Sequence, residues 1–338
     1  MEAQSSTEAT TPSMEGFMAT IESLRSEIEP ILKEAYCGRL GRPPYDPLAM
    51  LKALLYRTRT ESTRQLCIEL ASNSRILRLT GLPKVPSHQA FSVYLARIGE
   101  DRARRISELC VSKLMRVWPD LGRVLSIDGT VVKAYAKRNR GFRSTTDPDA
   151  RLGYKEHCSG RPRFEFGYRF TIASDGEREI PLTGVTKPAN ANESRLFRAI
   201  LRQAKNLGIR FDIVTADAQY DSRKNIWLTI AYGAKPIIPL NPRSSKLAKS
   251  TGKRKSDAIL PIQRDSPEWK RYLAMRSASE RVNSSLKEHL GLETLKVRGL
   301  RRAATFFTIC IMAKQLLALT AARLERDDLS RSVLVWCY

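Results

Sequence analysis

Apolar positions along the first third of the chain recur every three or four residues. Phe17, Ile21, Leu24, Ile28, Ile31 and Leu32 line one face of a helix expected over 14–37. Asp46-Pro47 is a helix start, with Asp as N-cap and Pro in the first turn, and a helix over 48–58 follows. Further helices are expected over 62–72, carrying Leu66, Cys67, Ile68 and Leu70, and over 75–80, stopping at Gly81. Ser87 caps a long helix through Phe91, Leu95 and Ile98 toward Val117. Residues 14–118 therefore read as nearly all helical.

The pattern changes at Trp118-Pro119. Val124 to Ile127 is a short apolar run that predicts a buried strand. A loosely alternating, aromatic-rich strand over 164–173 and its hairpin partner over 180–186 flank Ser174-Asp175-Gly176. Strands over 211–216 and 235–240 alternate with helices over 192–207 and 221–233. Two closing helices are expected over 268–289 and 300–324. Strands alternating with helices after an opening set of strands imply a mixed α/β sheet. Residues 1–13 are polar and read as a disordered tail without a signal core, and 326–338 as a C-terminal tail.

Composition sharpens this picture. At 338 residues and 42% hydrophobic, the chain has room for one or two domains with a sizeable core. Lys and Arg number 58 against 35 Asp and Glu, giving a formal net charge of +23. Such an excess points to a polyanion partner bound in a salt-sensitive way. Six of the cations, Arg243, Lys246, Lys249, Lys253, Arg254 and Lys255, crowd a Ser/Thr/Gly-rich basic loop over 243–268. That loop is either a solvated linker or an arm that contacts phosphates. The six cysteines form no CxxC pair and the three histidines are scattered, so no zinc finger is legible. His157-Cys158 lacks a matching second pair. This usage fits buried thiols in a reducing cytosol. The most apolar stretch, 303–322, is interrupted by Lys314 and Gln315 and reads as a buried helix, not a membrane span.

Three acidic residues carry the candidate chemistry. Asp128 ends the run Val124-Leu125-Ser126-Ile127, and Asp217 ends Ile213-Val214-Thr215-Ala216. Each is either a turn or cap residue, or a carboxylate at the carboxyl end of a buried strand, where α/β sheets bind ligands. Asp221 competes with Asp217, although its position suits a helix N-cap. Glu280 lies on the 268–289 helix with Arg276 four residues before and Lys287 seven after, so all three share a face. Taken alone that pattern is an ordinary surface ion pair. Two strand-end carboxylates and one on a helix can instead converge on two divalent cations that clamp an in-line phosphoryl displacement.

These residues resemble the DDE transposases of bacterial insertion sequences. The likeness rests on Asp128, on Ala216-Asp217-Ala218-Gln219-Tyr220-Asp221, and on Tyr272, Arg276, Glu280 and Lys287, which match the family's Tyr/Arg/Glu/Lys helix with a Tyr-to-Arg gap one residue longer than its commonest form. The turn Thr186 to Ser194 is also similar, with Asn192-Glu193 where the family more often has His-Asp. The run from Gly41 through Asp46-Pro47 to Leu55, and then Leu79 to Phe91, resembles the helical region that precedes the catalytic domain.

The resemblance implies a helical DNA-binding domain over 14–118 and a ribonuclease-H-like α/β catalytic domain over 119–325. It implies Asp128, Asp217 and Glu280 as catalytic ligands of two Mg²⁺ ions, with Mn²⁺ able to substitute. One ion would activate water and later the 3′-hydroxyl of a transposon end; the other would stabilise the departing 3′-oxygen. Tyr272, Arg276 and Lys287 are then DNA contacts, as are Lys253, Arg254 and Lys255 of the basic loop. His88 and Gln89, at the start of a helix, are candidates for base contacts or simply for packing. The implied partners are double-stranded DNA, both transposon ends and target, and further copies of the chain in a dimer or higher assembly, in a bacterial cytoplasm at the nucleoid and with no membrane. A ribonuclease-H-like nuclease without strand transfer, or a non-enzymatic DNA-binding protein of the same fold, are the alternatives.

Overall fold

The computed structural model describes residues 13–36, 45–137, 146–155, 163–241 and 255–333. Lys253, Arg254, the side chain of Lys255, His157-Cys158 and nearly all of the tail 1–13 lie outside the described residues, as does the basic loop up to residue 254.

The first apolar stripe spans two helices, α1 Met14–Ser23 and α2 Arg25–Lys33. Leu24 leaves the helical backbone between them, beside Ser23, whose hydroxyl bonds back to the Thr20 carbonyl. The caps form as the sequence predicts. Asp46 accepts from the Leu48 N–H at the start of α3 Pro47–Arg57. Helices α4 Thr63–Ser72 and α5 Ser74–Thr80 follow, and Ser87 caps α6 His88–Val117. Gly99, at φ +67°, bends α6 into two rods.

A six-stranded sheet follows: β1 Val124–Lys133, β2 Arg151–Lys155, β3 Arg163–Asp175, β4 Pro181–Pro188, β5 Ile213–Ala216 and β6 Lys235–Ile237. The order is β2-β3-β1-β5-β6, with β4 also paired to β3. β1 runs antiparallel to β3 but parallel to β5, and β5 parallel to β6, so the sheet is mixed as expected. Helices α7 Glu193–Asn206 and α8 Arg223–Ala231 connect the later strands.

Four local expectations need correction. β1 does not stop at Asp128 but continues to Lys133, because β3 offers it a hydrogen-bonding partner along the whole length. β2 was not anticipated. Its five residues, Arg-Leu-Gly-Tyr-Lys, carry little apolar signal and gain their place by pairing with β3. The helix expected over 268–289 is two helices, α9 Pro267–Ala274 and α10 Ser277–Glu288, broken at Met275-Arg276. Ser222, not Asp221, caps α8, and Asp221 is buried, accepting from the Asn241 N–H and facing Arg264.

The last helix, α11 Leu300–Arg323, is long and apolar enough to cross a membrane, yet it is buried along nearly its whole length. It packs most extensively on α6, and also on α1, α3 and β4. Phe307 lies 4.6 Å from the Phe170 ring of β3, and Gly184 of β4 leaves the space its ring needs. Gln315 ties the layers together. It accepts from Ser107 of α6 (2.9 Å) and donates to the Pro181 carbonyl of β4 (2.9 Å). The helical region and the sheet thus share one continuous core, from Met14 to Val333. Cys110 and Cys310 are free, fully buried thiols within it.

Candidate active site

The sheet register places the two aspartates. In the parallel pair, Val124 faces Ile213 and Ile127 faces Ala216. The next residues on each strand are Asp128 and Asp217, on backbones about 4.8 Å apart. There β5 ends. Asp217 caps a short 3-10 turn, Ala218–Tyr220, by accepting from the Gln219 N–H (2.8 Å). Asp128 therefore sits mid-strand toward β3 but at the carboxyl end of the parallel pair, where a sheet opens to ligands.

Helix α10 brings Glu280 to the same end. The helix buries Ala278, Val282 and Leu286, and polar bonds tie it to β1. Ser126 of β1 donates to Ser279 Oγ (2.9 Å), which in turn bonds the Arg276 carbonyl (2.9 Å). One turn further on, Asn283 donates to Asp128 Oδ2 (2.8 Å). The Asp128 carboxyl is pushed up to about 6, first by burial and then by the charges of Asp217 and Glu280. The Gly129 N–H and Asn283 partly offset that rise. The charges of Asp217 and Glu280 thus add to burial in disfavouring the ionised form of Asp128.

Glu280 itself points into an ion pair with Arg276, its neighbour one turn before, and its side chain is 50% exposed. Among the described residues, no three His, Cys, Asp or Glu side chains converge closely enough to hold one ion together. The donor chemistry nevertheless fits a hard divalent cation. The candidate ligands are all carboxylate oxygens, a positive charge would offset the charges that Asp217 and Glu280 place on Asp128, and the buried Asn283 side-chain oxygen accepts no hydrogen bond. Glu280 has only to exchange Arg276, in a pair of the kind worth at most about 1 kcal/mol.

Of the remaining expected residues, Lys287 lies on α10 two turns beyond Glu280. Tyr272 is not brought to the acids. It packs with Val124 and Ile213 at the amino ends of β1 and β5, four strand residues or about 13 Å from Asp128, and its hydroxyl meets Arg271. His88 and Gln89 open α6, Gln89 exposed and His88 half-buried, next to a contact between Cys67 of α4 and the Pro86 carbonyl.

Sequence reasoning missed Asn283 and Arg169 here, and named Glu193 without its buried ion pair to Arg169. Asn283 carried a usable signal, since i+3 from Glu280 is the same helix face.

Comparison with known proteins assigns the chain to a family. The family profile described as Transposase DDE domain matches residues 119–316, and one described as Transposase domain (DUF772) matches residues 8–97. The chain belongs to the DDE transposase family. It is an enzyme that cleaves and transfers DNA strands, of a family that uses divalent metal ions, built on a mixed sheet with a helical N-terminal region. No curated protein matches the sequence. Among solved structures, the chain is similar to a piggyBac transposase synaptic complex with hairpin DNA at 11% identity and a TM-score of 0.46, over 93% of this chain and 78% of that one. It is similar to a Mos1 transposase paired-end complex with left transposon end at 15% identity and a TM-score of 0.23, over 76% and 81%. A pre-cleavage Mos1 transpososome overlaps at 14% identity and a TM-score of 0.22, over 92% and 98%.

Proposed function

We propose that this transposase cuts DNA at the ends of a bacterial insertion sequence and joins the freed 3′-hydroxyls to target DNA, using Asp128, Asp217 and Glu280 to hold two Mg²⁺ ions. The observation that carries the reading is the register that sets Asp128 beside Asp217 at the end of the parallel strand pair. Bound there, two divalent ions supply Lewis acidity to the attacking and leaving oxygens of an in-line displacement. The chain's own residues do the rest. Asn283 orients the Asp128 carboxylate, and the Ser126–Ser279 bond helps to seat α10 on β1. Arg276, once released from Glu280, and Lys287 are positioned along one helix face to hold phosphates that flank the scissile bond. Two ends must be processed together, which calls for a dimer or higher assembly on DNA, in the cytoplasm at the nucleoid.

DNA positioning extends beyond this site in the reading. The basic loop around Lys253, Arg254 and Lys255 contacts phosphates, and His88 and Gln89 meet DNA at the start of α6. Phosphate contacts give affinity without sequence information. Neutralising the three loop cations together should make the slope of log affinity against log salt shallower by up to about 0.9 per lost contact.

The deciding experiment incubates a labelled duplex carrying an inverted-repeat end with the protein and Mg²⁺ or Mn²⁺. Wild type should nick at the end and then form joined products, while Asp217→Ala should do neither yet still retard the duplex. Nicking without any joined product would favour the nuclease reading. Cutting that persisted in a chelator would sink the metal assignment.

A further inference from the structure

Lys314 interrupts the apolar run of α11, and the acidic site gives it no task. The residue is 1% exposed. Its ammonium donates to the Arg331 carbonyl and, among the described residues, forms an ion pair with no carboxylate. Burial pushes its pKa down to about 8, against the pull of the Glu179 charge. A buried ammonium of this kind is costly unless an anion meets it. Lys314 lines a cavity of about 240 Å³ between α10, α11 and the chain that follows α11. Arg281, Ser285 and His289 line it from the α10 side, Arg331 from the chain after α11, and Glu179 from the turn that joins β3 to β4. Ser285 Oγ is buried there and has no hydrogen-bond partner. Glu179 accepts from Arg281 Nε (2.8 Å) and lies 4.0 Å from Arg331. It is the one carboxylate among the described lining residues, set against the cations of Arg281, Lys314 and Arg331.

The lining defines what the cavity can hold. It is smaller than the roughly 300–1,000 Å³ of sites for drug-sized ligands, so its ligand is small. The surplus of positive charge makes that ligand an anion. Guanidinium and ammonium donors together match the oxygens of a phosphate. We infer that this cavity binds a phosphate group, with Lys314 and Ser285 at its floor and the half-exposed Arg281 and Arg331 at its rim. The group belongs either to the DNA backbone or to free phosphate. Asp128, Asp217 and Glu280 do not line the cavity. Arg281 and Ser285 stand one turn apart on a different flank of α10 from Glu280 and Lys287. The cavity therefore goes beyond the proposed metal site and needs no metal at the acids to fill.

Thermal melting of the metal-free full chain in inorganic phosphate, against chloride at equal ionic strength, tests the site. The Tm of wild type should rise in phosphate and saturate, which gives an apparent affinity. Lys314→Met keeps the bulk of the side chain and removes its charge. Its phosphate affinity should fall about tenfold or more, the loss expected for a charged hydrogen bond. Ser285→Ala should weaken binding about two- to fivefold. Asp217→Ala should bind phosphate as wild type does, which separates this cavity from the acids. Retardation of a duplex without an inverted repeat distinguishes the two sources. Weaker retardation of Lys314→Met, reproduced in wild type by added phosphate, assigns the cavity to DNA. Equal retardation beside lost phosphate binding assigns it to free phosphate. Equal melting of wild type in phosphate and chloride, with retardation unchanged in Lys314→Met, would overturn the site. So would a phosphate gain that survives in Lys314→Met, which would leave Lys314 as a tie to the Arg331 carbonyl and nothing more. Should Lys314→Met fail to fold, Ser285→Ala still decides, because its hydroxyl has no protein partner to strand. Phosphate binding unchanged in that variant would then overturn the site.

Discussion

The candidate site has two halves, and they are held by different kinds of force. Asp128 and Asp217 are placed by main-chain hydrogen bonds in a parallel strand pair whose side chains below them, Leu125, Ile127, Val214 and Ala216, are fully buried. Moving either carboxylate means moving the core. Glu280 stands on the outer side of α10, whose Ala278, Val282 and Leu286 are buried and whose Ser279 and Asn283 bond Ser126 and Asp128, and its carboxylate is engaged by Arg276 near solvent. The strand half is built in advance; the helix half is completed by exchanging one weak partner for another. Fixed geometry carries the charge repulsion, and the adjustable ligand is the one whose present partner is itself a candidate phosphate contact. On the proposed function, loading metal and gripping DNA would be coupled through Arg276.

The comparison breaks most visibly in the strand half. Asp128→Ala or Asp217→Ala should reduce end cleavage on the order of a thousandfold or more, with DNA retardation kept, because several kcal/mol of transition-state stabilisation go with the metal. A variant of Asp217 that cut normally would transfer its role elsewhere. Asp221 is a poor heir, since it is buried and already bonded to Asn241 and facing Arg264. Between the halves, Asn283→Ala should weaken Mn²⁺ binding about tenfold, the usual cost of losing a residue that orients a ligand. An unchanged affinity would mean that Asp128 needs no help from α10. In the helix half, Arg276→Ala should leave metal affinity at or above wild type while lowering DNA affinity. Loss of both would show that the Glu280–Arg276 pair is part of the assembled site and not a resting state.

Much of this was legible in the sequence, and the misses share a cause. The caps at Asp46-Pro47 and Ser87 were readable because capping is local chemistry. The strand leading to Asp217 was readable because its four residues, Ile213, Val214, Thr215 and Ala216, are small or β-branched and all buried. Where a long-range partner decides, local pattern fails. β1 runs through Asp128-Gly129 because β3 pairs with it, and β2 exists only as an addition to β3. The break at Met275-Arg276 lets α9 pack on the amino ends of β1 and β5 while α10 lies along the site, a demand that no helical periodicity announces. Arg169 and Glu193 are 24 residues apart in sequence (193 − 169) and meet only through the β3–β4–α7 path.

The pH response separates the halves next. Because Asp128 is pushed up to about 6, above the ordinary carboxylate value in the unfolded chain, its folded-state charge is unfavourable. Its contribution to stability is therefore present at low pH and lost as pH rises through about 6 in metal-free protein. Divalent metal should reverse this by favouring the ionised form. The metal-induced rise in Tm should be full at pH 7.5 and fade below about pH 6, each unit of pH there weakening metal binding about tenfold. In Asp128→Asn the metal-free Tm should lose that pH dependence. A metal effect that stayed flat from pH 5 to about 7.5 would mean that Asp128 is already ionised without metal.

The smallest expected effect tests whether the two halves are separable at all. Ser126 is fully buried on β1 and its hydroxyl bonds Ser279 of α10. Ser126→Ala removes that bond and leaves Ser279 still bonded to the Arg276 carbonyl, so no buried group is stranded. The cost should be that of one neutral hydrogen bond, about 1 kcal/mol, read by urea denaturation. If α10 is an adjustable member docked on a fixed strand pair, the variant should bind Mn²⁺ through Asp128 and Asp217 as wild type does. Its cleavage rate should fall only by about two- to fivefold, in line with a bond of that strength lost between β1 and the helix that carries Glu280. A collapse of cleavage to the level of Asp217→Ala would instead mean that the Ser126–Ser279 contact fixes the depth of α10 so tightly that Glu280 has no freedom, and that the site is one rigid unit.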